Sequence, residues 1–294
     1  MRRRCYCWLG VMLASLAVAE QPSAIRASEM DARRERETTI RFNLYRGYLI
    51  LAQGSAGPFN NLNLLLDTGT SSTILDERLA RRLRLVEKPA FIGVANGRVQ
   101  ARTATVPSLG IGPIRRNNFP VLIRDLDFLQ RALSVPVDAV IGLDVLGEVS
   151  FMVDYTSREI HFGSPTPLPI SVPLQWKGGL ATVQAELNHS PVHLLLDTGA
   201  SSLIIFETRM PSSVSSHSVS AVKRSTNLNG NFERKQVWLH SLTLGQAEFG
   251  REPAFVVHDR DDTGRDFDGL ISPAALGITR IAVDVERGVL AFSR

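Results

Sequence analysis

Leu64-Leu65-Leu66-Asp67-Thr68-Gly69-Thr70-Ser71-Ser72 returns 130 residues later as Leu194-Leu195-Leu196-Asp197-Thr198-Gly199-Ala200-Ser201-Ser202. In each copy one apolar run leads into the aspartate and another follows the serines. The repeat therefore gives two carboxyl groups equivalent surroundings. Two carboxyl groups that meet across a two-fold axis cannot both ionise easily, so they hold one proton between them. Such a pair can activate a water molecule.

The duplication extends well beyond this motif. The same offset of 130 relates Asp138 to Asp268 and Asp154 to Asp284, and it rises to 133 around Leu242 because the second copy carries insertions. A repeat of this length predicts two lobes rather than a solenoid of short units. We expect lobes at residues 39–163 and 173–294, joined by an extended Pro-rich linker at 164–172.

Short β-branched and leucine-rich runs, punctuated by Gly, Pro and Asn, predict an all-β fold in each half. The clearest strands are Leu49–Ala52, Val121–Ile123, Ile160–Phe162, Phe255–Val257 and Ile281–Val283. Helical periodicity is limited to Glu77–Leu85, with short helical turns expected after Gly142 and Ser272. The segments Asp138–Gly142 and Asp268–Ser272 predict a buried strand that passes close beside another backbone, where a small residue is needed.

The amino terminus has the pattern of a secretory signal. Three arginines precede an apolar stretch that ends in Ala17-Val18-Ala19. The alternative is a retained membrane anchor, but the stretch is shorter than the ~20 residues of a spanning helix, so we expect cleavage after residue 19 and no stable membrane insertion afterwards. Both cysteines, Cys5 and Cys7, lie in this leader. An exported chain without disulfides suits a bacterial periplasm, although a secreted protein is also consistent.

Charge and composition exclude several partners. The formal net charge of +4 includes the three leader arginines, and without them 30 basic residues face 29 acidic ones. This balance predicts neither a nucleic-acid partner nor an anionic membrane surface. Residues 20–38 are polar and mixed in charge, which favours a flexible lead-in over a self-inhibiting propeptide.

No pattern in the chain indicates a metal or another cofactor. The stretch from Asp259 resembles the start of a calcium loop, but its twelfth position is Leu270 rather than a bidentate Glu. The Asp262-Thr263-Gly264 tripeptide within it follows charged residues instead of an apolar strand, so we interpret it as a loop. His189 and His193 have helical ligand spacing, but Pro191 between them predicts a strand, and we expect both at the surface.

With both motifs in place, the chain resembles the aspartic peptidase clan of pepsin-like and retropepsin-like enzymes, in which each lobe supplies one Asp-Thr/Ser-Gly motif. The resemblance covers nearly all of residues 40–294 and includes the Val140-Ile141-Gly142 element and a closing strand in each half, at Phe151–Phe162 and Ile281–Phe292. It implies two β-barrel lobes about a pseudo-two-fold axis, in a single-chain relative of the retropepsins. One chain with both motifs needs no dimer, so we expect a monomer.

The resemblance also implies an activity and a set of site residues. Asp67 and Asp197 would hold one water and hydrolyse a peptide bond of a peptide or protein substrate bound between the lobes. Gly69 and Gly199 would let the backbone approach the carboxyl groups. Thr68 and Thr198 would hydrogen-bond across the axis. The alternative function is a peptidase-like scaffold that binds peptides without cleaving them.

Two further expectations concern differences between the lobes. Thr70 is replaced by Ala200 in the second copy, and we hypothesise that the Thr70 hydroxyl hydrogen-bonds to Asp67 and favours its charged form. Gly93, Asn96 and Gly97 fall in a predicted Asn-Gly hairpin, at the place where the family has a mobile flap; an ordinary surface hairpin is the alternative.

Overall fold

The structure is a computed structural model that describes residues 38–94, 97–214, 220–227, 230–259 and 266–294. The predicted signal peptide 1–19 and residues 20–37 of the predicted lead-in lie outside the described residues, as does the Asp262-Thr263-Gly264 loop. None of the helices in the described part of the chain has the length and apolar character needed to cross a membrane.

The first half contains ten strands and three short helices within the described ranges. The strands are β1 (Thr39–Tyr45), β2 (Leu49–Ala56), β3 (Phe59–Leu66), β4 (Ile74–Asp76), β5 (Lys88–Val94), β6 (Gly97–Ile111), β7 (Ile114–Arg124), β8 (Ala139–Ile141), β9 (Phe151–Asp154) and β10 (Glu159–Phe162). The helices are α1 (Glu77–Arg82), α2 (Asp127–Leu133) and α3 (Leu143–Leu146).

The second half repeats this pattern, and its described residues form twelve strands and two 3₁₀ turns. The strands are β11 (Ile170–Lys177), β12 (Leu180–Leu187), β13 (Ser190–Leu196), β14 (Leu203–Phe206), β15 (Ala221–Asn227), β16 (Gly230–Leu239), β17 (Leu242–Leu244), β18 (Ala247–Phe249), β19 (Glu252–Val257), β20 (Gly269–Ile271), β21 (Arg280–Asp284) and β22 (Val289–Ser293). The 3₁₀ turns are Glu207–Arg209 and Ala274–Leu276.

Each half folds into one β lobe with the same strand order. The first lobe runs β1-β2-β3-β8-β4-β7-β6-β5, and β2 also pairs with β6 to close the barrel. The second runs β11-β12-β13-β20-β14-β19-β16-β15, and β12 pairs with β17 in the corresponding place. The all-β, two-lobed prediction is confirmed.

The two lobes share one antiparallel sheet. Its strand order is β1-β10-β9-β21-β22-β11, so each lobe contributes three strands. Within this sheet the lobes meet at the β9–β21 pair, in which Val153 lies opposite Ile281. The predicted linker 164–172 ends within this sheet, because Ile170 already pairs with Phe292 on β22.

The five predicted strands fall within β2, β7, β10, β19 and β21. Other elements differ from the sequence-based expectations. The predicted helix ends at Arg82 rather than Leu85, because Arg84 takes a positive φ of 54° that breaks the helix. Each predicted closing strand is a hairpin of two strands. In the first, the Asp154 carboxylate accepts the N–H groups of Thr156 and Ser157 and turns the chain between β9 and β10.

The Leu-Leu-Leu runs owe their composition to burial on both faces of the sheet. Leu64 and Leu66 on β3 point into the main core of the protein, while Leu65 packs into a second cluster with Leu49 and Leu126. A central strand covered on both faces reads as a continuous apolar run. This burial fixes the position of β3, and therefore of the aspartate that follows it.

Candidate active site

Each aspartate lies at the first position after a buried strand, held by a parallel neighbour. β3 pairs with β8 and β13 pairs with β20. The Asp67 N–H donates to the Ile141 carbonyl oxygen at 3.0 Å, and the Asp197 N–H donates to that of Ile271 at the same distance. The two copies therefore present their carboxyl groups from matching positions of matching sheets.

The threonines of the two motifs hydrogen-bond across the axis between the lobes. Each backbone N–H, of Thr68 and of Thr198, donates to the hydroxyl of the other threonine at 3.1 Å. The Thr68 hydroxyl then donates to Leu196 O at 2.8 Å and the Thr198 hydroxyl to Leu66 O at 3.3 Å. Both threonines are buried. These four bonds tie the ends of β3 and β13 to each other.

The threonine bonds bring the two carboxyl groups together. Asp67 and Asp197 hydrogen-bond to each other through their side chains. Each also accepts the N–H of its own motif glycine, Gly69 or Gly199, at 2.8 Å. A Cβ on Gly69 would lie 2.5 Å from Asp197 Cγ, and one on Gly199 would lie 2.8 Å from Asp67 Cγ. Each glycine therefore packs directly against the opposite carboxyl group.

The surroundings of this pair change its protonation. Burial raises the pKa of Asp67 and of Asp197, and the nearby charge of Asp67 raises that of Asp197 further. Backbone N–H groups oppose the shift without cancelling it. Both residues keep some solvent-accessible surface, so water can still reach them. Raised pKa values and a titration shared by both groups are typical of two carboxyl groups that hold one proton.

Thr70 does not have the role that the sequence predicted. Its hydroxyl donates to the Ser72 carbonyl oxygen at 3.1 Å. Because a hydroxyl has only one proton to donate, it is not available to Asp67. The predicted Thr70–Asp67 hydrogen bond is wrong. The exchange of Thr70 for Ala200 therefore does not by itself make the surroundings of one carboxyl group differ from those of the other.

The small residues after β8 and β20 lie against the motif loops, as the sequence predicted. A Cβ on Gly142 would meet the Thr70 carbonyl oxygen at 2.9 Å. In this lobe the Leu143 N–H donates to that oxygen. In the second lobe Pro273 has no N–H, and the buried Ser272 hydroxyl donates to Ala200 O at 2.6 Å instead. The Ser272 hydroxyl therefore takes the donor role that the Leu143 N–H has in the first lobe, because Pro273 cannot supply it.

Replacing Ser272 with Ala should lower the free energy of unfolding by about 1–3 kcal/mol, because Ala200 O loses its donor. Chemical denaturation of both proteins measures the difference. The Ser272→Gly/Pro273→Leu double variant should recover most of the loss, since it restores the N–H found in the first lobe. Equal stability of Ser272→Ala and the wild type would contradict this assignment.

A hydrogen-bonded polar pair next to the first motif, Thr73 and Asp144, was not predicted from the sequence. The Asp144 carboxylate accepts the Thr73 N–H at 2.8 Å and the Thr73 hydroxyl at 2.7 Å. Thr73 Oγ1 in turn accepts the Gly142 N–H at 3.2 Å. Burial raises the pKa of Asp144. The second lobe has Leu203 and Ala274 in the corresponding positions, so a comparison of the two copies could have indicated that Thr73 and Asp144 are partners.

Tyr48 is a second residue that the sequence did not indicate. It lies between β1 and β2 of the first lobe, and its side chain is close to Ser201 of the second motif. Burial raises the Tyr48 pKa, and the charge of Asp197 adds to the shift. The corresponding turn of the second lobe has Gly179 beside Ser71. Of these two corresponding turns, the one in the first lobe therefore has a tyrosine and the one in the second lobe does not.

The predicted hairpin of the first lobe is formed, and the second lobe has a counterpart. Val94 pairs with Gly97 at the end of the β5–β6 hairpin, and Asn227 pairs with Gly230 at the end of β15–β16. Gly93 lies on β5, whereas Asn96 and the side-chain surroundings of residues 94–97 lie outside the described part. A role of the first hairpin as a flap stays a prediction.

One group of acidic residues could hold a metal within the described ranges. Ligand atoms of Asp76, Asp125 and Asp127 lie within 4.8 Å of one another. The Asp76 carboxylate, however, already accepts the N–H groups of Arg78 and Leu126, and Arg78 also pairs with Asp127. These contacts explain the cluster as the start of α1 and α2.

Two β lobes with one Asp-Thr-Gly motif each, joined by crossed threonines, define a two-lobed protein of the acid-protease type. A family model described as "Aspartyl protease" matches residues 56–145 and 183–273, and the chain therefore belongs to this family. It is 22% identical over 200 residues to the retrovirus-related Pol polyprotein from transposon 412 of Drosophila melanogaster. This match covers 66% of the chain and 15% of that polyprotein. The chain is a retropepsin-like aspartic peptidase with both lobes in one polypeptide.

Proposed function

We propose that this chain is an endopeptidase in which Asp67 and Asp197 form the catalytic dyad. The observation that carries the proposal is the hydrogen bond between their carboxyl groups, with the pKa of each raised above its ordinary value. Family membership supports peptidase chemistry in general. The geometry supports these two residues in particular, because each is the first residue after a buried strand and faces its counterpart.

Hydrolysis needs one proton on the pair. The ionised carboxylate takes a proton from a bound water, and the resulting nucleophile attacks the carbonyl carbon of the peptide bond. The protonated carboxyl group donates to the carbonyl oxygen as the tetrahedral intermediate forms. The dyad then gives a proton to the leaving nitrogen, the C–N bond breaks, and a hydroxyl proton of the intermediate returns to the dyad, which again holds one proton. No covalent enzyme intermediate is needed. The crossed threonines hold both carboxyl groups in place throughout.

A mixed peptide library tests the proposal directly. The protein without residues 1–19 is incubated with the library at several pH values from acidic to neutral, beside an Asp67→Asn variant, and the products are identified by mass spectrometry. We expect internal cleavage by the wild type alone. Peptide binding by both proteins with cleavage by neither would support the scaffold alternative instead.

The pH profile of the reaction should reflect the raised titration of the dyad. Activity is lost at low pH when the second proton binds, and at high pH when the last proton leaves. Because the pKa of both carboxyl groups is raised from 3.8, the midpoint of the acidic limb of kcat/KM should lie above pH 3.8. Initial rates on one cleaved peptide between about pH 3 and about pH 8 measure it. An acidic limb centred below pH 3.8 would contradict the prediction, and an Asp144→Asn variant should keep both limbs.

A further inference from the structure

The two lobes differ in charge beside the motifs. Register places Arg234 opposite Val257 on β19 and opposite Lys223 on β15. The corresponding positions of the first lobe are Ala101 and Ala90, which also face each other across β5 and β6. The second lobe therefore presents two adjacent cations where the first presents two methyl groups.

Both cations lie against the same aromatic ring. The Arg234 guanidinium carbon is 4.0 Å from the centre of the Phe255 ring, and Lys223 Nζ is 5.3 Å from it. Arg234 and Lys223 thus point to one face of the sheet. Like charges directly opposite each other on neighbouring strands repel, and the ring offsets only part of that cost.

No carboxylate among the described residues neutralises this pair, since their ion pairs include neither Arg234 nor Lys223. Arg234 Nη1 donates to the Ser202 hydroxyl at 3.2 Å, while its Nε is buried without an acceptor. Arg234 is half-buried. A cation partly removed from water without an anionic partner is unfavourable, and a ligand carboxylate would offset that cost.

The contacts of Arg234 place this charge beside the second motif. Ser202 belongs to the second motif, and its hydroxyl is 3.4 Å from that of Ser201. Tyr48 is close to Ser201, and the charges of Arg234 and Asp197 both act on its pKa. Polar contacts thus run from Ser201 through Ser202 to Arg234.

We propose that Arg234, assisted by Lys223, binds a carboxylate side chain of the substrate close to the cleaved bond. The proposal rests on the function proposed above. The guanidinium has a planar fork of donors that matches a carboxylate, and an incoming Glu or Asp would neutralise the adjacent cations. Because the first lobe has Ala101 and Ala90 there, the acidic residue is accepted on one side of the cleaved bond. Arg234 is thus a specificity-determining residue for acidic peptides.

Paired peptides that differ only by Glu or Gln, at each of about three positions on either side of one cleaved bond, test the proposal. At one position we expect the wild type to prefer Glu by about 10-fold or more in kcat/KM. Arg234→Gln should lose this preference, because its kcat/KM should fall much more for the Glu peptide than for the Gln peptide. Lys223→Gln, which removes an exposed side chain, should reduce the preference by a smaller factor. Lys235→Gln, the next residue on β16, is the matched control and should keep it.

Binding to an Asp67→Asn protein separates this inference from the proposed hydrolysis. Fluorescent Glu and Gln peptides are titrated into Asp67→Asn and into Asp67→Asn/Arg234→Gln. Tighter binding of the Glu peptide than of the Gln peptide by Asp67→Asn alone supports the role of Arg234. This holds even if the wild type cleaves neither peptide, a result that would overturn only the hydrolase proposal. Equal affinity for Glu and Gln in both proteins at every position, with no Glu preference in cleavage, would overturn the role of Arg234.

Discussion

Asp67→Asn should reduce kcat/KM for peptide hydrolysis by about 10³-fold or more, because the remaining carboxyl group cannot act as both base and acid. The amide that replaces the carboxyl group can still donate and accept hydrogen bonds, so the crossed threonines and the fold should be preserved. Steady-state rates on a peptide that the wild type cleaves measure the loss. Asp197→Asn should behave in the same way, since the two carboxyl groups share one proton.

The same variant should change how stability depends on pH. The pKa of both carboxyl groups is higher in the folded state than the ordinary 3.8, so the folded protein binds more protons than the unfolded chain above that pH. Their contribution to stability is full below about pH 3.8 and is lost as the pH rises through the folded pKa values. Asp67→Asn removes one charge from the pair and should therefore raise the free energy of unfolding at neutral pH.

Denaturant unfolding at about pH 4 and about pH 7 separates these effects, since each pKa unit corresponds to about 1.4 kcal/mol. We expect Asp67→Asn to be more stable than the wild type at neutral pH and close to it at acidic pH. Asp266→Asn, which removes an exposed carboxylate, is the matched control and should change neither activity nor the pH dependence of stability. Full activity of Asp67→Asn would contradict the catalytic assignment.

The sequence was most informative where burial dictates composition. The Leu-Leu-Leu runs of β3 and β13 are apolar throughout because every leucine in them is buried, and this placed Asp67 and Asp197 at equivalent strand ends. Gly142 and Gly269 mark places where a strand meets another backbone closely. Such constraints act on residue type directly and can therefore be recognised from one chain.

Features that depend on where separate strands meet were not predictable in the same way. Thr70 has the residue type of a hydrogen-bond donor to Asp67, but local geometry directs its hydroxyl to Ser72. Tyr48 and Arg234 lie far from the motifs in sequence, and only the folded lobes bring them to Ser201 and Ser202. Nothing in their local sequence indicates this.

Some of the missing information was present in the differences between the two copies. Thr73 and Asp144 form a polar pair in the first lobe, and the corresponding residues of the second lobe are both apolar. A change of both partners together indicates contact, because a lone buried carboxylate or hydroxyl would be unfavourable. Within a duplicated protein, paired differences at equivalent positions therefore predict contacts that a motif comparison passes over.

Gly199→Ala should disable the site by contact alone. Gly199 lacks a positive φ, so alanine can adopt its backbone conformation. The new Cβ, however, would lie 2.8 Å from Cγ and from both carboxyl oxygens of Asp67, closer than packed atoms tolerate. Asp67 is held by the Gly69 N–H and by Asp197, so it cannot move away without separating the two carboxyl groups. Gly69→Ala should act in the same way on Asp197.

We expect Gly199→Ala to lower kcat/KM by about 100-fold or more, because displacement of a catalytic group by about 1 Å has effects of that size. Overpacking should also lower the free energy of unfolding by about 1–3 kcal/mol. Kinetics and denaturant unfolding measure the two effects. Gly250→Ala is the control, because a Cβ on that exposed glycine meets no atom within 4 Å, and it should change neither. Wild-type kinetics in Gly199→Ala would mean that the carboxyl groups need not touch, since the added methyl group would have to force them apart.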